Sequence, residues 1–397
     1  MKKYVVIVLF FSIIFADRSR FDISFYDQVE VNSYRDEQAL IDFIESVMTS
    51  NMIPGASVSV VKDGAIVWEK HLGYASIVDE VEVDENTMFM LASVSKTVTA
   101  TALMQLWEQG LFDLDDNINA YLPFNFSHPD YFLAPISFKM LLSHTSGIKD
   151  NWGVMPYSDG DSELELGYYL EEYLVPGGLF YDSNSNFTNA MPGTNYSYSN
   201  IGAALIGHLV ETISGQPFNE YCNENIFEPL GMDNAFWFLS EIDDLNQVAI
   251  PYKLVTGNGN TCYEIGCGIY DESNPCFCDS QCIYYEDCCL DYDEVCGENG
   301  VGSSGTLEPL YHYGYSDYPS GQLRTSSNNL AKFISAYIND GVYNGVRILD
   351  SETINFIKEI HYPNIASQQG LIWYYKNQNG RTLFGHNGGD LGSLTEM

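Results

Sequence analysis

The sequence predicts a mixed α/β domain of the α+β kind, interrupted late in the chain by a small disulfide-rich insertion. Three observations carry this. Helical and strand patterns alternate irregularly, without the regular strand–helix rhythm of a parallel barrel. Apolar residues make up 45% of the 397 residues and aromatics 14%, enough for a large packed core. Eight of the nine cysteines crowd between Cys262 and Cys296, with Gly-rich stretches on either side.

Met1-Lys2-Lys3 is basic, and Tyr4 to Ala16 is apolar apart from Ser12. The run is too short to span a bilayer, which needs about 20 residues, but it suits the apolar region of a secretory leader cleaved after Ala16. Residues 1–16 are therefore expected to be a signal peptide and the protein to be secreted. Asn125, Asn186 and Asn195 head Asn-x-Ser/Thr triplets, candidate glycosylation sites. No later stretch reads as a membrane helix.

Leu40, Ile41, Ile44, Val47 and Met48 recur at helical spacing. Residues 56–61 and 65–70 are β-prone and joined by Lys62-Asp63-Gly64, a hairpin signal. From Ala92 to Gln109 the chain reads as a long helix stopped by Gly110. Ile201 to Ile213 is a second helix, capped by Ser199 or Asn200 and followed by Gly215, and Leu330 to Ile338 a third, closed by Gly341. The simplest organisation is one catalytic-sized domain interrupted by a small disulfide module.

Lys and Arg number 17 against 54 Asp and Glu, a formal charge of −37. A phosphate backbone would be repelled, so nucleic acid is excluded as a partner, and docking to anionic lipid is disfavoured. The cysteines Cys262, Cys267, Cys276, Cys278, Cys282, Cys288, Cys289 and Cys296 have no histidine among them. In a secreted chain that favours disulfides over zinc, with the pairing open among 105 possibilities. Cys276-Phe277-Cys278, the step to Cys282, and Asp287-Cys288-Cys289 followed by Asp291-Tyr292 resemble a somatomedin B domain. The resemblance implies a four-disulfide knot over residues 259–299 that binds an extracellular protein. A spacer inserted in a surface loop is the other reading. Cys222 is left over, and a buried free thiol on a helix is expected.

Three short motifs carry chemistry. In Ser93-Val94-Ser95-Lys96, a spacing of three on a helix puts Ser93 and Lys96 on one face. A serine hydroxyl needs an adjacent base, and a lysine with a lowered pKa can supply one. In Tyr198-Ser199-Asn200, a phenol near an ammonium can relay a proton and an amide can hold a substrate. In Gly385-His386-Asn387-Gly388-Gly389, glycines let backbone N–H groups approach an oxyanion. Taken singly, each is a helix cap or a turn.

Their order resembles the serine β-lactamase and penicillin-binding-protein family, nearest the class C enzymes and related DD-peptidases and esterases. Leu141 to Gly147, Pro192 to Gly202, Ser320 to Phe333 and Gly385 to Gly392 agree with it, and the resemblance covers residues 36–255 and 306–397 as one domain interrupted by the cysteine module. The resemblance implies an antiparallel sheet flanked by helices, a helical subdomain, and hydrolysis of an amide or ester in a small molecule or peptide without cofactor or metal. It makes Ser93 the acylated nucleophile, Lys96 the base and Tyr198 the proton relay. Asn200 and His386 would line the substrate site, with Gly388 and Gly389 beside them and the N–H groups of Ser93 and Gly389 as the oxyanion hole. His386 stands where lactamases usually carry lysine, which favours peptidase or esterase action over β-lactam hydrolysis. His144, in Ser-His-Thr-Ser-Gly, is expected to be structural. Family members also continue into two strands lying between the third motif and the hairpin, so the chain is expected to be C-terminally incomplete, with unpaired edges at residues 56–70 and 383–388. A catalytically inactive binding protein acting through the cysteine module is the alternative function.

Overall fold

The computed structural model describes residues 5–11, 37–255, 306–378 and 380–397. The cysteine module at 259–299 lies outside the described residues, as do residues 1–4 and 12–16 of the expected leader.

Among the described residues, a six-stranded antiparallel sheet and the helices packed with it build the domain, with five smaller sheets around them. In chain order the elements used below are β1 (Val5–Phe11), α1 (Glu37–Ser50), β2 (Gly55–Lys62), β3 (Ala65–Ser76) and β4 (Val81–Glu82). They are followed by α2 (Ser95–Glu108), α3 (Asn200–Ser214), α4 (Ser327–Ile338), β5 (Asn387–Asp390) and β6 (Ser393–Glu396). The sheet runs β5-β6-β1-β2-β3-β4. The β2–β3 hairpin turns where Asp63 and Gly64 both take positive φ, 51° and 78°, the backbone that a tight two-residue turn demands.

Strand β2 is covered on both faces, and its alternation shows how. Ala56 and Val58 pack with Ile44 and Met48 of α1. The intervening Ser57 and Ser59 point the other way, their hydroxyls 2.7 and 3.0 Å from Ser327 Oγ at the start of α4. Small hydroxyl residues let that helix sit close to the sheet while each buried polar atom keeps a partner.

Beyond the sheet, α2 is buried on all sides from Ser95 to Leu106, the mark of a helix at the centre of a domain. It packs with α3 in the main hydrophobic core, where Leu103, Leu106, Leu205 and Leu209 are at most 2% exposed. Gly110 and Gly215 end the two helices with φ of 72° and 74°, as expected for left-handed stops. Cys222 closes a short helix, Phe218–Cys222, as a buried free thiol, and burial pushes its pKa well up. Among the described residues no helix is long and apolar enough to cross a membrane.

Three expectations need correcting. The β2 edge is not left unpaired: β1 fills the slot between β6 and β2, with Val8 opposite Ser59 and Leu9 opposite Glu396. Residues 5–11, read from sequence as the core of a leader, thus serve here as a sheet strand. A run rich in Val and Ile meets the backbone preferences of a strand as well as the apolar demand of a leader. Residues 383–388 form no single strand. Arg381–Gly385 pairs with Tyr374–Gln378, the chain bends at His386, and β5 begins at Asn387. Finally, Asn186 is fully buried, its amide donating to the carbonyls of Tyr173 and Phe180, so it is no glycan acceptor.

Candidate active site

Ser93 sits in a single 3-10 turn, Ala92–Val94, that feeds directly into α2. The residue before it, Ala92, has φ of 48°, a left-handed conformation that costs an alanine energy and turns the serine out of the strand direction. Two hydroxyls of β6 clamp the approach: Ser393 donates to the Met90 carbonyl and Thr395 to the Leu91 carbonyl, each at 2.6 Å.

Helical spacing brings Lys96 under Ser93 as the sequence predicts. Its Nζ lies 2.9 Å from Ser93 Oγ and donates to the Ser320 carbonyl at 2.6 Å. A neutral amine in the same place would accept the hydroxyl proton along the same line. Lys96 is fully buried, with the Tyr198 ring centroid 5.0 Å from Nζ. The Ser320 carbonyl reaches this spot because α3 approaches its turn closely: a Cβ on Gly207 would fall 2.6 Å from Pro319.

Tyr198 and Asn200 are held from below by two residues outside the three motifs. His144, at φ of 53°, accepts a hydrogen bond from the Ser199 N–H through Nδ1, and its ring lies 4.4 Å from that of Tyr198. Burial and the charge of Lys96 hold its pKa well below the usual value, so it acts as a neutral acceptor. Through these contacts it holds the backbone and ring of the second motif. Asp150 accepts from the Asn200 N–H at 2.8 Å and the Ile201 N–H at 3.1 Å, and from Asn200 Nδ2 at 2.9 Å. One carboxylate thus caps α3 and aims the Asn200 amide.

A cleft of about 570 Å³ opens over these groups. Ser93, Tyr198, Asn200 and Gly389 line it together, joining residues from all three motifs. Gly388 packs behind: a Cβ there would fall 2.3 Å from the Leu91 carbonyl oxygen and 2.9 Å from the Ser93 nitrogen, so only glycine lets β5 lie against the nucleophile. His386 is placed differently from the sequence-based expectation. It is 2% exposed, its ring 6.4 Å from Tyr198, with Nδ1 2.6 Å from the Asn387 carbonyl. Burial first, and then Lys96, lower its pKa to about 3, so it is neutral.

The motifs gave no sign of Asp150, Asp317, Tyr157 or Asp390, which also line the cleft. Asp317 lies three residues before Ser320, and its Oδ2 accepts from the Ser320 hydroxyl at 2.8 Å. Burial raises its pKa to about 6. The quoted stretch beginning at Ser320 stopped just short of it. A second serine–histidine contact, Ser57 Oγ to His71 Nδ1 at 2.8 Å, sits against Ser327 between sheet and helix. Ser57 is 1% exposed, so this contact has no opening for substrate.

Comparison with known proteins agrees with this geometry. The profile of the family described as Beta-lactamase matches residues 40–396. Protein flp of Staphylococcus aureus (strain MRSA252) is 27% identical over 220 residues, 55% of this chain and 42% of that protein. The chain therefore spans less than half the length of that relative. Among solved structures, the octameric penicillin-binding protein homologue from Pyrococcus abyssi superposes with a TM-score of 0.61 at 22% identity, over 91% of this chain and 72% of that one. EstCE1, a hydrolase with promiscuous acyltransferase activity, does so with a TM-score of 0.57 at 20% identity, over 88% and 84%. The fold is that of these proteins, and with a family match running through Ser93, Lys96, Tyr198 and Asn200 to the glycines of β5, the chain belongs to the beta-lactamase family.

Proposed function

We propose that the protein is a serine hydrolase that opens an amide or ester carbonyl through an acyl-enzyme on Ser93. The observation that carries this is the 2.9 Å contact between Lys96 Nζ and Ser93 Oγ at the floor of the cleft. In this reading neutral Lys96 takes the Oγ proton as the oxygen attacks the carbonyl carbon. The N–H groups of Ser93 and Gly389 receive the developing oxyanion. Tyr198, beside the ammonium, passes the proton to the leaving nitrogen or oxygen, and water then releases the acyl group by the reverse route. Asn200, fixed by Asp150, orients the substrate.

Peptidase or esterase action is favoured over β-lactam hydrolysis, because His386 takes the place of the lysine expected in lactamases. The test is covalent: an acylating serine probe should label the protein, and Ser93→Ala should abolish labelling. Labelling that survives the substitution would sink the assignment.

Secretion is the second part of the proposal, supported by the basic start and the apolar run to Ala16. Cleavage there would remove β1 from the sheet, so N-terminal sequencing of the exported protein decides which role residues 5–11 keep. Binding of an extracellular protein through residues 259–299 is proposed on the cysteine spacing alone.

A further inference from the structure

Five residues lining the cleft take no direct part in the acyl-transfer steps above. Trp152, Tyr157 and Tyr315 line it together with Asp317 and Asp390. The ring of Tyr157 stands nearly perpendicular to that of Tyr315, at 77° with centroids 6.0 Å apart, so the two form a corner. The Tyr157 hydroxyl donates to Asp390 Oδ1 at 2.7 Å, which fixes both ring and carboxylate. Aromatic faces attract a cation through their quadrupoles, more strongly where water is excluded, and adjacent carboxylates add direct attraction.

Arg324, buried behind Tyr315 and Asp390, offsets part of the negative charge there, but its guanidinium donates to the Gln322 and Tyr313 carbonyls and is not among the groups lining the cleft. No lysine or arginine is found among the described residues lining the cleft. Lys96 lies beneath it and already holds Ser93 Oγ and the Ser320 carbonyl. His386 is buried and uncharged. Asp150 is a different case, because its oxygens are taken up by the end of α3 and by Asn200.

We propose that this site selects acyl donors carrying an ammonium group, seated among Trp152, Tyr157, Tyr315, Asp317 and Asp390, and discriminates against donors carrying a carboxylate. The inference rests on the serine-hydrolase reading and adds the charge class of its substrate.

Three p-nitrophenyl esters of similar length, each read against its own rate with hydroxide, test it: the 4-(trimethylammonio)butanoate, the neutral 5,5-dimethylhexanoate and the hydrogen adipate, whose carboxylate closes too large a ring to attack its own ester. The charge lies several bonds from the carbonyl in each, so differences in kcat/KM report the site. The cationic ester should exceed the neutral one by at least about tenfold and the anionic one by more, and added salt should narrow both gaps. Asp390→Asn should shrink the cation-to-neutral ratio severalfold, and Asp390→Glu should restore much of it. Ratios taken on one preparation are independent of how much of a variant folds. Equal rates, or a preference for the adipate, with turnover still abolished by Ser93→Ala, would overturn the charge assignment and leave the hydrolase intact. If none of the three acylates Ser93, the hydrolase reading fails and the charge assignment falls with it.

Discussion

At the scale of the residue, the site places charge where burial makes it expensive. Asp317 is 4% exposed, and its carboxyl is raised from the ordinary 3.8 to about 6, chiefly by desolvation. An acid whose folded pKa lies above its unfolded value binds its proton more tightly when folded. Its contribution to stability is therefore most favourable below about pH 4 and is lost as pH rises through 6. A shift of this size corresponds to about 3 kcal/mol between the two limits. Asp317→Asn cannot titrate, so its stability relative to wild type should be about that much better at pH 7.5 than at pH 3.5, measured by urea unfolding at both. A difference that does not change with pH would mean the carboxyl is not desolvated. This residue was invisible to pattern reading, because nothing in Ser316-Asp317-Tyr318-Pro319 distinguishes a buried acid from a turn. The Ser93–Lys96 pair was legible, because a spacing of three on a helix specifies a direction as well as a distance.

Among the elements, α3 joins stability to chemistry. Ser199 caps it, its hydroxyl accepting from the Gly202 N–H at 2.8 Å, which the sequence predicted. The second cap, Asp150, comes from a loop 50 residues away, a contact made by tertiary packing that local signals cannot encode. The two caps offer a separation of effects. Ser199→Ala removes a cap hydroxyl and should cost about 1 kcal/mol of stability with little loss of turnover. Asp150→Ala strips the same helix end and also frees the Asn200 amide. It should cost a similar or larger amount of stability, and lower kcat/KM by a further ten- to hundredfold. Unfolding curves and ester kinetics on both variants check this. Equal kinetic losses in the two would mean Asp150 acts only as a cap and does not position Asn200.

The whole molecule depends on how the sheet is completed. Helix stops at Gly110 and Gly215 and the Asp63-Gly64 turn were readable because each rests on a local backbone demand. The partner of β2 was not, because strand pairing between residues 8 and 59 leaves no local trace in either segment. The consequence reaches the active site: β1 pairs with β6, and β6 holds the Met90 and Leu91 carbonyls through Ser393 and Thr395. Weakening β1 should therefore disturb the nucleophile as well as the sheet. Val8→Pro removes a backbone donor from a strand paired on both sides and forces φ near −65°, a change tolerated only at edges. In the full-length chain it should lower the melting temperature by several degrees and slow acylation of Ser93. Val60→Pro in β2 tests a strand paired on both sides that neither pairs with β6 nor touches the Ser93 clamp, so it should lower stability with a smaller effect on acylation. If Val8→Pro changes neither quantity, then residues 5–11 are not part of the working sheet, and the slot between β6 and β2 is held by something else.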